Sequence, residues 1–201
     1  QAAPVQRGIQ QMKSGRARAV IVNSGNANAC TGPQGVRDME EMAERTATGL
    51  GFQADEVIVS STGSIGKPLN MDPVRHGIDL LIPALSSQGG DQAATAIMTT
   101  DTRPKACTTS FEVSGKTVTL SGICKGAGMI EPNMATMLAY VFTDAAVSAE
   151  DLTSALKIAV DASFNKISID GDTSTNDSVI CMANGMSGAT LAPESPDWDI
   201  F

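Results

Sequence analysis

The sequence predicts an α/β class, with mixed sheets and helices packed over them. Three features of its 201 residues carry that prediction. Short apolar runs of strand character alternate along the chain with amphipathic helical stretches. A hairpin signal sets two of the strands directly side by side. Clusters of small and polar residues fall beside the apolar runs, where loops that carry chemistry are expected.

Residues 17–22 (ARAVIV) read as a buried strand, followed by an Asn- and Gly-rich loop over 23–35. Met39, Met42, Ala43, Thr46, Ala47 and Leu50 recur at helical spacing, forming one face of a helix closed by Gly49 and Gly51. Residues 56–60 form a short strand that runs into Ser61-Thr62-Gly63-Ser64-Ile65-Gly66. Residues 72–85 read as a helix that Pro83 limits or kinks. Residues 111–113 and 117–120 flank Ser114-Gly115-Lys116 as a β-hairpin. Residues 137–142 (MLAYVF) form another buried strand. Ser148, with Asp151 three positions on, caps a helix whose stripe is Leu152, Ala155, Leu156, Ala159 and Val160. Residues 165–170 and 178–182 read as two more strands around a loop over 171–177.

Composition removes several function classes. There are 14 Lys and Arg against 22 Asp and Glu, a formal charge of −8, with no basic run to meet a phosphate backbone. No apolar stretch approaches the roughly 18–20 residues needed to span a bilayer. Neither a nucleic-acid partner nor a membrane is therefore expected. Four scattered cysteines and one histidine, His76, supply no paired ligands for a closed zinc site and no disulfide framework, so no Cys/His metal site is expected. A reducing, cytoplasmic setting fits that cysteine usage. The opening QAAP lacks an initiator Met and the chain stops at Phe201 without a turn signal, so both ends read as cut from something longer.

Four polar segments are candidates for chemistry. The segment 23–35 offers positions tolerant of positive φ. The segment 60–66 fails the phosphate-loop pattern, since Ser61 holds the first glycine position and Pro68 follows Lys67. It reads instead as a strand-to-turn whose N–H groups near Thr62 and Gly63 can face an oxyanion. The acidic segment 170–177 (DGDTSTND) fails the calcium-loop pattern, with Thr175 at the required glycine and Cys181 at the required glutamate. The richest is 125–139 (KGAGMIEPNMATMLA), where a proline-containing turn drops into a core strand at Thr136. Cleavage before Thr136 would create an α-amine of pKa about 7.7–8.0 beside its hydroxyl, an activated nucleophile that needs no histidine. On residue types alone Thr136 also reads as an ordinary strand start, since any threonine can open a strand.

The residues KGAGMIEPNMATML (125–138), Ser61-Thr62-Gly63, AIMTTDT (96–102) and DGDTSTND (170–177) resemble the bifunctional ornithine acetyltransferase, or glutamate N-acetyltransferase, family of arginine biosynthesis. The resemblance extends over essentially the whole chain, and family members are about twice as long, so the chain reads as truncated at both ends relative to them. It implies a layered αβ fold resembling the N-terminal-nucleophile hydrolases with a distinct topology. It also implies self-cleavage at Ala135–Thr136. Residues 1–135 would then belong to an α-polypeptide and 136–201 would begin a β-polypeptide, both within one αβ domain.

In the roles the resemblance implies, Thr136 is the nucleophile and Thr62 with Gly63 forms the oxyanion hole. Lys125 contacts substrate together with Thr136, and Thr99 is a further substrate contact that its neighbour Thr100 rivals. The implied reaction moves the acetyl group of N²-acetylornithine to glutamate, with no bound cofactor and acetyl-CoA as an optional co-substrate. The implied assembly is a heterotetramer of two α and two β polypeptides, cytoplasmic in bacteria and mitochondrial in eukaryotes. Two other outcomes share the same residues: an N-terminal-threonine amidohydrolase or aminopeptidase, with water as acceptor, and a catalytically silent subunit that keeps the fold.

Overall fold

A computed structural model describes residues 1–129, 137–172 and 174–201. The elements are α1 (Ala3–Gln11), β1 (Ala19–Asn26), α2 (Gly32–Leu50), β2 (Val57–Ser64), α3 (Met71–Ala84), α4 (Gly90–Ala96), β3 (Lys105–Val113), β4 (Lys116–Lys125), β5 (Leu138–Thr143), β6 (Ala146–Val147), α5 (Ala149–Ala162), β7 (Ser178–Ala183) and β8 (Thr190–Leu191). The class is mixed α/β, as expected. β1 and β2 pair in parallel, and a second sheet runs β3-β4-β5-β7, antiparallel except for the parallel β5–β7 pair. β6 and β8 form a short parallel pair of their own.

A parallel pair needs a crossover, and α2 supplies it between β1 and β2. Its predicted stripe is the buried face: Met39, Met42, Ala43 and Ala47 pack with Ile21, Val57, Val59 and Ile78. Gly51 ends the helix in the left-handed region at φ +72°. Because side chains alternate along a strand, Val20 and Val22 face the other way. They close a second apolar layer with Ile123, Leu138, Tyr140 and Ile180 of the four-stranded sheet. α5 lies over the far face of that sheet, where Leu152 and Leu156 line a small cavity together with Val141, Val179 and Cys181. Helices, sheet, sheet and helix thus stack in four layers.

The predicted hairpin joins β3 to β4. Val113 pairs with Lys116, and the two residues between them, Ser114 and Gly115, both have positive φ (+50° and +77°), as a tight two-residue connection requires. The predicted cap also forms, since Ser148 Oγ accepts the N–H of Asp151 at 3.1 Å.

Three expectations change. The polar stretches after residues 22 and 60 are strand rather than loop, because they pair with each other: Asn23 with Ser61, Ser24 with Thr62, Gly25 with Gly63. Ser61 Oγ donates to Asn23 Oδ1 at 2.6 Å, which gives this polar end of the sheet its own side-chain bonding. Residues 165–170 are not a strand. A 3-10 turn covers Phe164–Lys166, and the alternating Ile167 and Ile169 that suggested a strand stand exposed. Helices α1 and α4 were not foreseen. The first is tied down by Arg7, whose guanidinium donates to the carbonyls of Val57 (2.6 Å) and Ala54 (2.5 Å).

Candidate active site

A lysine at the last position of a core strand is costly unless its ammonium finds partners. Lys125 ends β4 in register with Leu138, and it is only 1% exposed. Its Nζ donates to Thr62 Oγ1 at 2.9 Å. Burial pushes its pKa below the ordinary lysine value, and the nearby carboxylates of Asp101 and Asp177 pull it back up. A hydroxyl that accepts from an ammonium keeps its own proton free to donate, so Thr62 is polarised as a donor.

Thr62 and Gly63 lie within β2, not in a turn as the sequence suggested. Gly63 has φ +132°, and a Cβ there would sit 2.2 Å from the carbonyl carbon of Gly25 and 2.5 Å from Asn26 N. Only glycine fits so close an approach, which falls where Asn26 pairs irregularly with both Ser64 and Thr62.

A carboxylate system surrounds Lys125. Asp101 has a fully buried side chain paired with Lys105. It accepts the N–H of Gly126 at 2.8 Å and, more weakly, that of Thr99 at 3.4 Å. Burial works to raise its carboxyl, but the bonds from Lys105, Gly126 and Thr99 outweigh it and hold the group below its usual range. Thr99 is thereby linked through Asp101 to the residue after Lys125. Thr99 and Thr100 themselves are exposed.

Asp177 accepts the N–H of Met137 at 2.7 Å. Its carboxyl is pushed up to about 6, by burial first, with the Met137 N–H and Lys125 acting against the shift. Next to it, buried Asn176 donates from Nδ2 to the carbonyls of Ala27 (2.6 Å) and Ser61 (2.9 Å). Ala135 and Thr136, the expected cleavage site and nucleophile, lie outside the described residues. The structure therefore brings Thr62, Gly63 and Lys125 together and ties Thr99 to them indirectly, beside the first described residue after Thr136.

The model of the ArgJ family matches residues 1–201. The chain belongs to the ArgJ family. It is 54% identical to the arginine biosynthesis bifunctional protein ArgJ of Symbiobacterium thermophilum and 49% identical to that of Caldanaerobacter subterraneus, each over the whole chain. It spans about half the length of these curated relatives, 50% in both cases. Among solved structures, the Bacillus halodurans ArgJ protein superposes with TM-score 0.61 at 41% identity, covering 67% of this chain and 71% of that one. The Mycobacterium tuberculosis ornithine acetyltransferase, solved with ornithine, superposes with TM-score 0.59 at 42% identity, covering 67% and 72%.

Sequence reasoning missed Asp101, Asn176 and Asp177 as individuals in this ArgJ-family chain. Their segments, 96–102 and 170–177, belong to the family resemblance, but only tertiary contact shows which side chain meets Gly126, Ser61 or Met137. A cavity of about 1070 Å³ lies elsewhere, lined by residues 12–18 ahead of β1 and by parts of β5, β7 and α5, and none of Thr62, Gly63, Thr99 or Lys125 lines it. Among the described residues, no group of three or more His, Cys, Asp or Glu is placed to hold a metal, and no helix is long and apolar enough to cross a membrane.

Proposed function

We propose that the complete protein carrying this sequence is an acetyltransferase of arginine biosynthesis. It cuts itself at Ala135–Thr136 and moves acetyl from N²-acetylornithine to glutamate through an acetyl-Thr136 ester. The observation that carries this reading is the buried Lys125–Thr62 bond beside Gly63, a donor site built into a strand end of an ArgJ-family chain.

In the proposed reaction the freed α-amine of Thr136 takes the hydroxyl proton as Oγ attacks the acetyl carbonyl. The new oxyanion is stabilised by Thr62 and Gly63, with the Lys125 charge behind Thr62; one such donor is typically worth about 10²–10³ in rate. Collapse breaks the C–N bond, and the proton held by the Thr136 amine passes to the departing ornithine nitrogen. The α-amine of glutamate then attacks the ester, its proton returns to Thr136 Oγ, and N-acetylglutamate leaves. Two half-reactions sharing one nucleophile give ping-pong kinetics. Lys125 and Thr99 are assigned to substrate contact, Lys125 through its charge toward a carboxylate.

On this reading residues 1–135 and 136–201 belong to different mature polypeptides that stay associated as an α2β2 heterotetramer. No bound cofactor takes part, and acetyl-CoA is a second possible donor. The setting is the cytoplasm, or the mitochondrion in a eukaryote.

Thr136→Ala in the complete protein tests the proposal. The expected result is a single uncut chain in mass spectra, native melting behaviour and no acetyl transfer to glutamate. A variant that still transfers acetyl overturns it.

A further inference from the structure

The acidic loop over 170–177 matches no metal pattern, yet its two end carboxylates each take a backbone N–H, from opposite sides of the segment that contains Thr136. Asp170 Oδ2 accepts the N–H of Met129 at 2.6 Å, and Asp177 Oδ1 accepts the N–H of Met137 at 2.7 Å. We propose that Asp170 and Asp177 are positioning residues that hold the chain on both sides of the self-cleaving segment. This inference rests on the role given above to Thr136.

The nitrogen of Met137 is bonded to the carbonyl carbon of Thr136. A carboxylate that holds this N–H therefore acts on the residue joined directly to the proposed nucleophile. Met137 is gripped on its other side too, since its carbonyl accepts the N–H of Ser178 at 3.0 Å. Met137 directly precedes β5, whose residues pair with the backbones of β4 and β7. A half-buried carboxylate is an expensive substitute for such a backbone partner, in keeping with a requirement for a short, strong and directed bond.

At the other end, Met129 holds φ +53°, a conformation that side-chain-bearing residues rarely adopt. The Asp170 carboxylate on its N–H stabilises that turn immediately before the segment. The two bonds differ in one respect. After a cut at Ala135–Thr136, Asp177 and Met137 share a polypeptide, whereas Asp170 and Met129 do not. Asp170 therefore acts chiefly on self-cleavage, and Asp177 acts on self-cleavage and on the transfer that follows.

The test uses the complete protein with Asp177→Ala, Asp177→Asn, Asp170→Ala and Thr136→Ala. Loss of the uncut chain is timed on gels, transfer kinetics are measured on the cleaved fraction, and thermal melts check folding. Asp177→Ala is expected to cut itself about ten- to a hundredfold more slowly. Its cleaved fraction should show kcat reduced by a similar factor, with KM for N²-acetylornithine within about twofold. Asp177→Asn, which keeps an oxygen acceptor, should recover most of both rates. Asp170→Ala should slow cleavage while kcat after cleavage stays within about threefold of the parent.

Parental cleavage rates in Asp177→Ala or in Asp170→Ala overturn the inference, as does an Asp177→Asn protein no faster than Asp177→Ala. If Asp177→Ala does not fold, the other two variants decide. Slow cutting by Asp170→Ala beside near-parental Asp177→Asn supports the inference, and any other combination overturns it. The Thr136→Ala arm separates the two levels: activity there defeats the functional proposal itself, whereas its inactivity beside unimpaired Asp variants defeats only the positioning role.

Discussion

Lys125 Nζ donates to Thr62 Oγ1 across 2.9 Å, joining the end of β4 in one sheet to the end of β2 in the other. That bond lies where the two sheets pack through Val20, Val22, Ile123 and Leu138. The apolar layer sets the distance between the sheets, and the polar pair uses that distance at the rim. A hydroxyl, an ammonium and a strained glycine thus meet where neither sheet alone could place them.

Lys125→Met is the informative change at this contact. It removes a buried charge and fills much of the same volume, so folding stability should change by no more than about 2 kcal/mol in either direction. Thr62 loses its donor and the site its positive charge, so kcat/KM for acetyl transfer should fall about 10²–10³-fold. Denaturant unfolding and steady-state kinetics on the same preparation separate the two effects. A variant that lost stability and activity in proportion would reduce Lys125 to a structural role.

Gly63→Ala addresses backbone rather than charge. At φ +132° with a Cβ placed 2.2 Å from Gly25, alanine forces β1 and β2 apart. A cost of about 3 kcal/mol or more is expected. The denaturation midpoint measures it, and Gly51→Ala is the control. Gly51 also has positive φ (+72°) but nothing within 4 Å of its Cβ position, so it should cost about 1 kcal/mol.

Asn176 spans two backbone carbonyls with one amide. Asn176→Ala leaves the carbonyls of Ala27 and Ser61 without that donor, a loss of about 2–4 kcal/mol. Asn176→Asp should be worse than Ala at neutral pH, because a carboxylate would face two carbonyl oxygens. Thermal melts of the three proteins check the order, and an Asp variant more stable than Ala would contradict the assigned amide orientation.

How far the sequence reaches can be judged from particular residues. The α2 stripe, the Ser114-Gly115 turn and the Ser148 cap depend on neighbours within a few positions, so local pattern exposes them. The strand continuations at residues 23–26 and 61–64 depend on each other across the chain, and polar composition disguised both as loop. Ile167 and Ile169 show the converse, an alternating pattern without a strand to pair against. At the site, residue types alone marked Thr62 and Gly63 as candidates to face an oxyanion, while Lys125 as a substrate contact came only from the family resemblance. The partners Asp101, Asn176 and Asp177 became legible when the fold placed them, because a carboxylate that binds the N–H of Gly126 or Met137 leaves no periodic trace.

The carboxyl of Asp177 supplies a prediction whose sign is set by its burial. Its pKa rises from the ordinary 3.8 to about 6, and Lys125, Ser174 and the Met137 N–H only partly oppose the shift. The folded protein thus binds this proton more tightly than the unfolded chain does. The resulting stabilisation is fully present below about pH 4 and is lost as pH rises through about 6. Asp101, whose carboxyl is held below 3.8, behaves oppositely: its contribution is present above that value and fades as pH falls. Asp177→Asn removes only the first dependence. Relative to that variant, the parent should lose stability steadily between about pH 4 and 7 and run parallel to it above that range. Denaturant titrations across the range measure the difference. A constant offset from pH 4 to 7 would mean that Asp177 is ionised throughout, and that burial does not dominate its environment.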